Sequence, residues 1–204
     1  MCDVGCIVFG AINLPKEEVR GKDVIDIGSL DDNGSIRPII EAWGAGKYVG
    51  VDIVKGVGVD IICDATDVLD RFGKDSFDIV ISMNTLEHVV DWKKVVSNIK
   101  NVCRPNGIIM LVMPARGFPY HAHPYDLWRF STDDMREIFS DCEILVLEES
   151  KQMVHAKIRK PSGFKEKDLT DFKLYNIVAN RRIKAMGKKD FRTFRYLYLD
   201  TRER

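Results

Sequence analysis

Val24-Ile25-Asp26-Ile27-Gly28-Ser29-Leu30-Asp31-Asp32-Asn33-Gly34-Ser35 is a Val/Ile run that breaks into a polar, glycine-containing turn. A helix is expected to begin near Ile36. Together these read as a strand, a turn and a helix N-terminus. Gly28 tolerates φ values denied to other residues and lets a ligand approach the backbone. Taken alone, the stretch is equally an ordinary strand-to-helix connection, with Asn33-Gly34 as its turn punctuation.

The pattern repeats outward. Tyr48–Val51, Val59–Cys63, Phe77–Ser82 and Ile108–Val112 are further runs of strand length. Their near-continuous Val/Ile content fits strands buried on both faces of a parallel sheet. Between them, Asp91–Cys103 carries Trp92, Val95, Val96, Ile99, Val102 and Cys103 at helical spacing, with Asp91 placed to cap it. Arg104-Pro105-Asn106-Gly107 is a turn into the next strand, and Ser131 and Asp134 form a capping box for a helix over Thr132–Phe139. Glu143–Leu147 and Met153–Arg159, separated by a polar turn, read as a closing hairpin. The expectation is an α/β fold whose mostly parallel, seven-stranded sheet ends in an antiparallel hairpin.

Composition sets the outer limits. The chain has 204 residues, 45% hydrophobic and 30% charged, with five cysteines and no net charge. That is one domain with enough core to fold without disulfides or structural metal. An odd cysteine count, with Cys63 and Cys103 in apolar segments, suits reduced thiols. Cys2 and Cys6 are half a metal site with no second pair to complete it. Cys2–Val8 lacks the basic leader of a signal peptide, and no apolar run approaches bilayer length. A soluble, cytoplasmic protein with no membrane contact is expected.

Residues 160–204 hold 13 Lys/Arg against 6 Asp/Glu. We therefore divide the chain into a domain over 1–160 and a basic, largely helical extension over 161–204. Such a tail either docks on its own domain or binds nucleic acid. Arg192, Arg195 and Lys188-Lys189 alternate there with Phe191, Phe194, Tyr196 and Tyr198, a pattern that suits single strands.

Three further elements carry chemistry. Asp52 ends the second strand, 24 residues after Gly28, where an acid can accept both ribose hydroxyls of an adenosine. Asp64-Ala65 follows the third strand, where a carboxylate and a backbone N–H can meet an adenine edge. Ser82-Met83-Asn84-Thr85-Leu86-Glu87-His88 ends the fourth strand, at the switch point where such sheets bind ligands.

The ordered set Asp26-Ile27-Gly28, Val51-Asp52, Cys63-Asp64-Ala65, Phe77-Asp78-Ile79-Val80, Leu86-Glu87-His88-Val89 and Arg104-Pro105-Asn106-Gly107 resembles the class I methyltransferases, most closely their type 11 small-molecule group. The likeness runs from Val24 to about Phe139. It implies a Rossmann-like fold and S-adenosyl-L-methionine as cofactor. Asp26, Gly28, Ser29, Asn33 and Gly34 would then lie at its methionine part. Asp52, with Ile53 beside it, would hold the ribose; Asp64 and Ala65 would hold the adenine, and Met83-Asn84 the middle. The family loop reads acid-x-Gly-x-Gly-x-Gly, whereas Leu30 occupies the second glycine position here. A dinucleotide is the rival ligand, but the loop lacks Gly-x-Gly-x-x-Gly, and Asp31 and Asp32 would repel a pyrophosphate.

The acceptor would sit beyond the fourth and fifth strands. Residues 114–130 carry Phe118, Tyr120, His121, His123, Tyr125, Trp128 and Phe130, with Asp126 and Arg129 among them. In related enzymes, text like His123-Pro124-Tyr125-Asp126-Leu127-Trp128-Arg129-Phe130-Ser131 helps cover the active site; the aromatics can equally be a small core, and Asp126–Arg129 an ion pair. His88, His121 and His123 are the candidate catalytic groups, with His88 the base or else a packed helix start. Some relatives bind a divalent metal through Glu-x-x-Glu-His and a later histidine. Asn84 replaces the first glutamate here, and no metal is assigned. His155 reads as structural. An oxygen or nitrogen of a small molecule, with a sugar hydroxyl first, is the expected acceptor. The alternatives are an RNA-directed enzyme or accessory module using the tail, and a silent cofactor-binding partner subunit. Oligomeric state is not legible.

Overall fold

The computed structural model describes residues 4–121 and 125–194. The chain opens with α1 (Val4–Asn13) and α2 (Lys16–Val19), then runs β1 (Asp23–Ile27), α3 (Arg37–Ala42), β2 (Lys47–Asp52) and β3 (Ile61–Ile62). A 3-10 turn at Ala65–Asp67 leads to α4 (Val68–Phe72), β4 (Phe77–Met83), α5 (Trp92–Val102) and β5 (Cys103–Pro114). Next come β6 (Trp128–Arg129), α6 (Thr132–Ile138), β7 (Glu143–Ser150) and β8 (Met153–Arg159). β9 (Leu174–Asn176), β10 (Arg181–Ile183) and α7 (Lys188–Phe194) complete the described chain.

Seven strands form one sheet in the order β3-β2-β1-β4-β5-β8-β7. β8 runs antiparallel to both its neighbours, which makes β7–β8 the expected closing hairpin. The order reverses between β1 and β4, so their carboxyl ends flank a crevice. Alternation along the central strands explains why both faces are covered. Val24, Ile79, Ile81, Ile108, Met110 and Val112 face α1, α2 and α3, while Ile25, Ile27, Val80, Ile109, Leu111 and Met113 face the α5 side. Each such side chain contributes roughly 1.5–3 kcal/mol by leaving water.

Local signals placed the helices well. Asp91 accepts the Lys94 N–H at 3.1 Å, and Ser131 and Asp134 form a reciprocal capping box at 3.1 and 3.0 Å. The Arg104–Gly107 turn is a bulge inside β5: pairing jumps from Phe77–Cys103 to Ile79–Ile108, with Asn106 at φ 63°. β3 is shorter than expected, because Val59 and Asp60 leave the ladder. Asp60 instead accepts the Gly50 N–H at 2.8 Å and an Arg37 N–H at 2.8 Å, tying the edge loop to α3.

The expectation of a largely helical extension needs correction. Within 161–194 the longest helix is α7, and β9 and β10 join β6 in a second, antiparallel sheet. Leu174, Asn176 and Val178 are buried alternately with half-exposed neighbours, a period of two rather than 3.6. Leu169, Leu174, Val178 and Ile183 enter the main core. The segment therefore docks on its own domain. Several of its cations meet acids, with Lys167 on Glu137, Arg182 on Asp134 and Lys184 on Asp171. Arg195, Tyr196 and Tyr198 lie outside the described residues. Among the described residues Cys6, Cys63, Cys103 and Cys142 form no disulfide, the first three being buried, and Cys2 lies outside the described residues. No helix among the described residues is long and apolar enough to cross a membrane.

Candidate active site

Two openings lie along the carboxyl ends of β1, β2 and β4. The first is a cleft lined by Asp26, Gly28, Ser29, Leu30, Gly34, Ser35, Ile36 and Met83. It holds about 10 Å³, the room of roughly one water. α1 closes it: a methyl at Gly34 would meet Ile7 Cδ1 at 2.9 Å, and one at Gly10 would meet Ile36 Cδ1 at 2.1 Å. The second is an open groove of about 600 Å³ lined by Ile53, Ile62, Cys63, Asp64, Asp67, Asp70 and Arg71. That volume is in the range of small-molecule and cofactor sites.

Gly28 sits at φ +84°, and its N–H donates to Val51 O at 2.8 Å. A Cβ there would lie 1.9 Å from Thr85 Oγ1. Glycine is thus required first by conformation and by Thr85, which itself donates to Ile27 O at 3.1 Å. This contact locks the β1 turn to the end of β4.

Asp26 is the electrostatic centre of the cleft. Burial pushes its carboxyl up to about 6; the bond from Tyr48 Oη at 2.7 Å pulls the other way, and the Asp52 charge adds to the rise. A buried acid held this high gains by meeting a cation. Asp52 accepts the Val54 and Leu30 N–H groups at 3.0 and 3.3 Å, which fixes its carboxylate between the β1 and β2 loops. A pyrophosphate there would meet the mutually repelling Asp26 and Asp52 carboxylates. A ligand carrying an ammonium suits them better.

Asp64 caps the 3-10 turn, accepting the Thr66 N–H and hydroxyl at 2.8 Å each. Asn98 on α5 donates to Ala65 O at 2.9 Å and Thr66 O at 2.8 Å, clamping this loop from beneath. Tyr48 and Asn98 were missed in the sequence. Their one signal was a polar atom on an otherwise apolar face. Asn33 is exposed outside the cleft, whereas Met83 and Asn84 are buried at its inner end, Asn84 at φ 55°.

Three residues beyond Asn84, a second cluster forms. Glu87 is fully buried. Its Oε1 lies 3.6 Å from His88 Nε2 and 3.5 Å from His121 Nε2. His88 Nδ1 is 2.6 Å from Tyr125 O, which can only accept, so Nδ1 carries the proton. His121 Nδ1 faces Asp126 Oδ2 at 3.0 Å. Burial pulls the His121 imidazole down, but the Asp126 and Glu87 carboxylates outweigh it and hold it up at about 9. Asp126 in turn is gripped through both oxygens by buried Arg129, which also donates to Phe118 O and Pro119 O at 3.2 Å. Burial alone would raise the Asp126 carboxyl; Arg129 and His121 bring it down to about 2.

His88 and His121 thus converge on Glu87, the glutamate that remains of the Glu-x-x-Glu-His pattern once Asn84 replaces the first. His123 lies outside the described residues. Of the loop aromatics, Trp128 and Phe130 are core, packed edge-on to Trp92, while Phe118 lies edge-on to His121 at 5.1 Å. His155 is buried on β8 against Phe9 of α1.

A family model described as a methyltransferase domain matches residues 10–144. No curated protein matches the chain. Among solved structures, the chain is similar to 1,6-didemethyltoxoflavin-N1-methyltransferase of Burkholderia thailandensis, solved with 1,6-didemethyltoxoflavin and S-adenosylhomocysteine bound. That match is 16% identical, with a TM-score of 0.64 over 78% of this chain and 79% of that one. An S-adenosylmethionine dependent methyltransferase of Mesorhizobium loti is 16% identical, with a TM-score of 0.57 over 75% and 96%. The [4+2]-cyclase SpnF is 14% identical, with a TM-score of 0.56 over 72% and 80%. Identities this low establish a shared fold, and a cyclase among them shows that the fold alone does not choose the chemistry. The family model, which spans the β1, β2 and β4 loops, is the more specific finding.

Proposed function

The chain belongs to the methyltransferase-domain family and is a class I S-adenosylmethionine-dependent enzyme, and we propose that its acceptor is a hydroxyl of a small molecule, a sugar hydroxyl first. The observation that carries this reading is the buried Glu87 carboxylate shared by two imidazoles just past Asn84. Amine acceptors are nucleophilic once neutral and need little more than alignment. A hydroxyl must also lose its proton, and that requires a base or an equivalent device.

The cofactor supplies an electrophilic methyl on a sulfonium. Asp26 and Tyr48 would hold its ammonium end, Asp52 the ribose hydroxyls, and the Asp64–Ala65 loop, steadied by Asn98, the adenine. Asp26 bearing a raised pKa fits this use, since a cation stabilises its ionised form. The methionine end holds only about 10 Å³ and Ile7 of α1 abuts Gly34 there, so entry would require α1 to move. At the acceptor end, the tautomer fixed by Tyr125 O turns the His88 Nε2 lone pair toward Glu87, where a hydroxyl proton can be taken.

The test is transfer of a labelled methyl group to a panel of sugars, other hydroxylated metabolites, amines and RNA. Label in hydroxylated small molecules alone is expected. Label in amines alone, or in RNA, would overturn the acceptor assignment.

A further inference from the structure

Glu87 has an unusual setting for a carboxylate. It is fully buried, and among the described residues neither of its oxygens accepts a hydrogen bond. Burying a charge this way is costly unless a cation joins it. The two imidazole Nε2 atoms, at 3.5 and 3.6 Å, are beyond good hydrogen-bonding range. They are close to the spacing of about 3.3 Å between ligands of a tetrahedral ion with bonds of about 2.0–2.1 Å. The carboxylate oxygen and the imidazole nitrogens lie within 4.8 Å of one another.

The outer contacts favour the same geometry. His88 turns Nδ1 to the Tyr125 carbonyl, and His121 turns Nδ1 to the Asp126 carboxylate. Each turns its Nε2 toward Glu87, and a bound cation would replace the proton that His121 carries there. Backbone carbonyls and carboxylates in this position orient metal-binding histidines and raise their basicity. Asp126 is itself held by Arg129, which is 1% exposed, so the orientation is rigid.

We infer that Glu87, His88 Nε2 and His121 Nε2 form a three-ligand site for a divalent first-row transition cation. Two imidazoles and one carboxylate suit zinc, manganese, iron or cobalt rather than magnesium or calcium. Three protein ligands leave a position open, the arrangement of a catalytic rather than a structural site. The histidines give the cluster access to solvent, with side chains 29% and 20% exposed. The open position takes the acceptor hydroxyl, whose proton passes to water as the cation lowers its pKa. This use rests on the acceptor reading above, whereas cation binding does not.

The purified full-length chain, stripped with a chelator, is titrated with Co²⁺ while its visible absorption is recorded. One equivalent should bind and give d–d bands without the near-ultraviolet thiolate band that a cysteine site would show. Glu87→Gln and His121→Gln should each weaken binding by about a hundredfold or more, beyond the 10–100-fold typical of losing an outer partner. Glu87→Gln is nearly isosteric and removes a buried charge, so its folding is secure; His88→Gln is the second, partly exposed variant. Absence of stoichiometric binding, a thiolate band, or equal affinity in Glu87→Gln overturns the site. Binding of S-adenosylhomocysteine is measured on the same samples. A protein that binds the nucleoside but no cation overturns this inference alone, and one that binds the cation but not the nucleoside upholds the site and removes its assigned role.

Discussion

Asp126→Ala is expected to destabilise the fold by about 3–5 kcal/mol, the usual cost of removing one partner from a buried ion pair. Arg129 is 1% exposed and its other acceptors are backbone carbonyls, so its charge would be left without a counterion. The variant would also release the His121 N–H, which Asp126 accepts at 3.1 Å, and the His121 ring. Asp126→Ala combined with Arg129→Met should recover much of the loss, since an apolar pair replaces a broken ionic one. Urea unfolding of the three proteins decides this; a loss under about 1 kcal/mol in the single variant would contradict the account. The wild type carries the same signature in acid. The folded Asp126 carboxyl is depressed from 3.8 to about 2. Its stabilisation is therefore full above about pH 4 and is lost as pH falls through about 2.

His88→Gln is expected to lower kcat by about 10²–10⁴, the usual contribution of a positioned proton-transfer group. That is roughly 3–5 kcal/mol of barrier. The same loss follows whether His88 takes the proton itself or holds a cation that lowers the hydroxyl pKa. The side chain is 29% exposed, so the fold should tolerate the change. S-adenosylhomocysteine affinity should stay within about twofold, because the ring lies beyond the cleft that ends at Met83. Single-turnover kinetics with a methylated acceptor identified as above provides the measurement. A kcat within threefold of wild type would show that proton removal occurs elsewhere.

The parallel sheet was legible because its signals are local. The central strands are Val/Ile-rich runs, β1 closed by Gly28 and β2 by Asp52, and α5 declares itself by spacing and by Asp91. The second sheet was not. β9 and β10 have three residues each, and β6, which supplies the partner for β9, is more than 40 residues earlier at Trp128–Arg129. Such short, non-local pairing leaves no periodicity in a basic stretch, so charge suggested a helical tail. At the site, Asp26, Gly28, Asp52 and Asp64 could be picked out from strand ends. Tyr48 and Asn98 could not, since their roles exist only through partners 22 and 33 residues away. Glu87 was visible as a letter beside His88, but nothing in the chain's order says that it is buried bare between two imidazoles. Leu30 in place of the second glycine is explained locally: its side chain packs where Gly56 has no Cβ, as the edge loop crosses the turn.

The central claim is that the β1, β2 and β4 ends bind an adenosyl sulfonium cofactor rather than a dinucleotide. The most direct test is the thermal stability of the purified chain with S-adenosylhomocysteine and with NAD, followed by calorimetry of wild type and Asp52→Ala. At 100 times its dissociation constant, S-adenosylhomocysteine should add about 2.7 kcal/mol to the folded state, while NAD adds nothing. Asp52→Ala should weaken nucleoside binding by about 1.5–3 kcal/mol, the worth of a charged hydrogen bond to the ribose. No stabilisation by S-adenosylhomocysteine, or a larger one by NAD, would contradict the account.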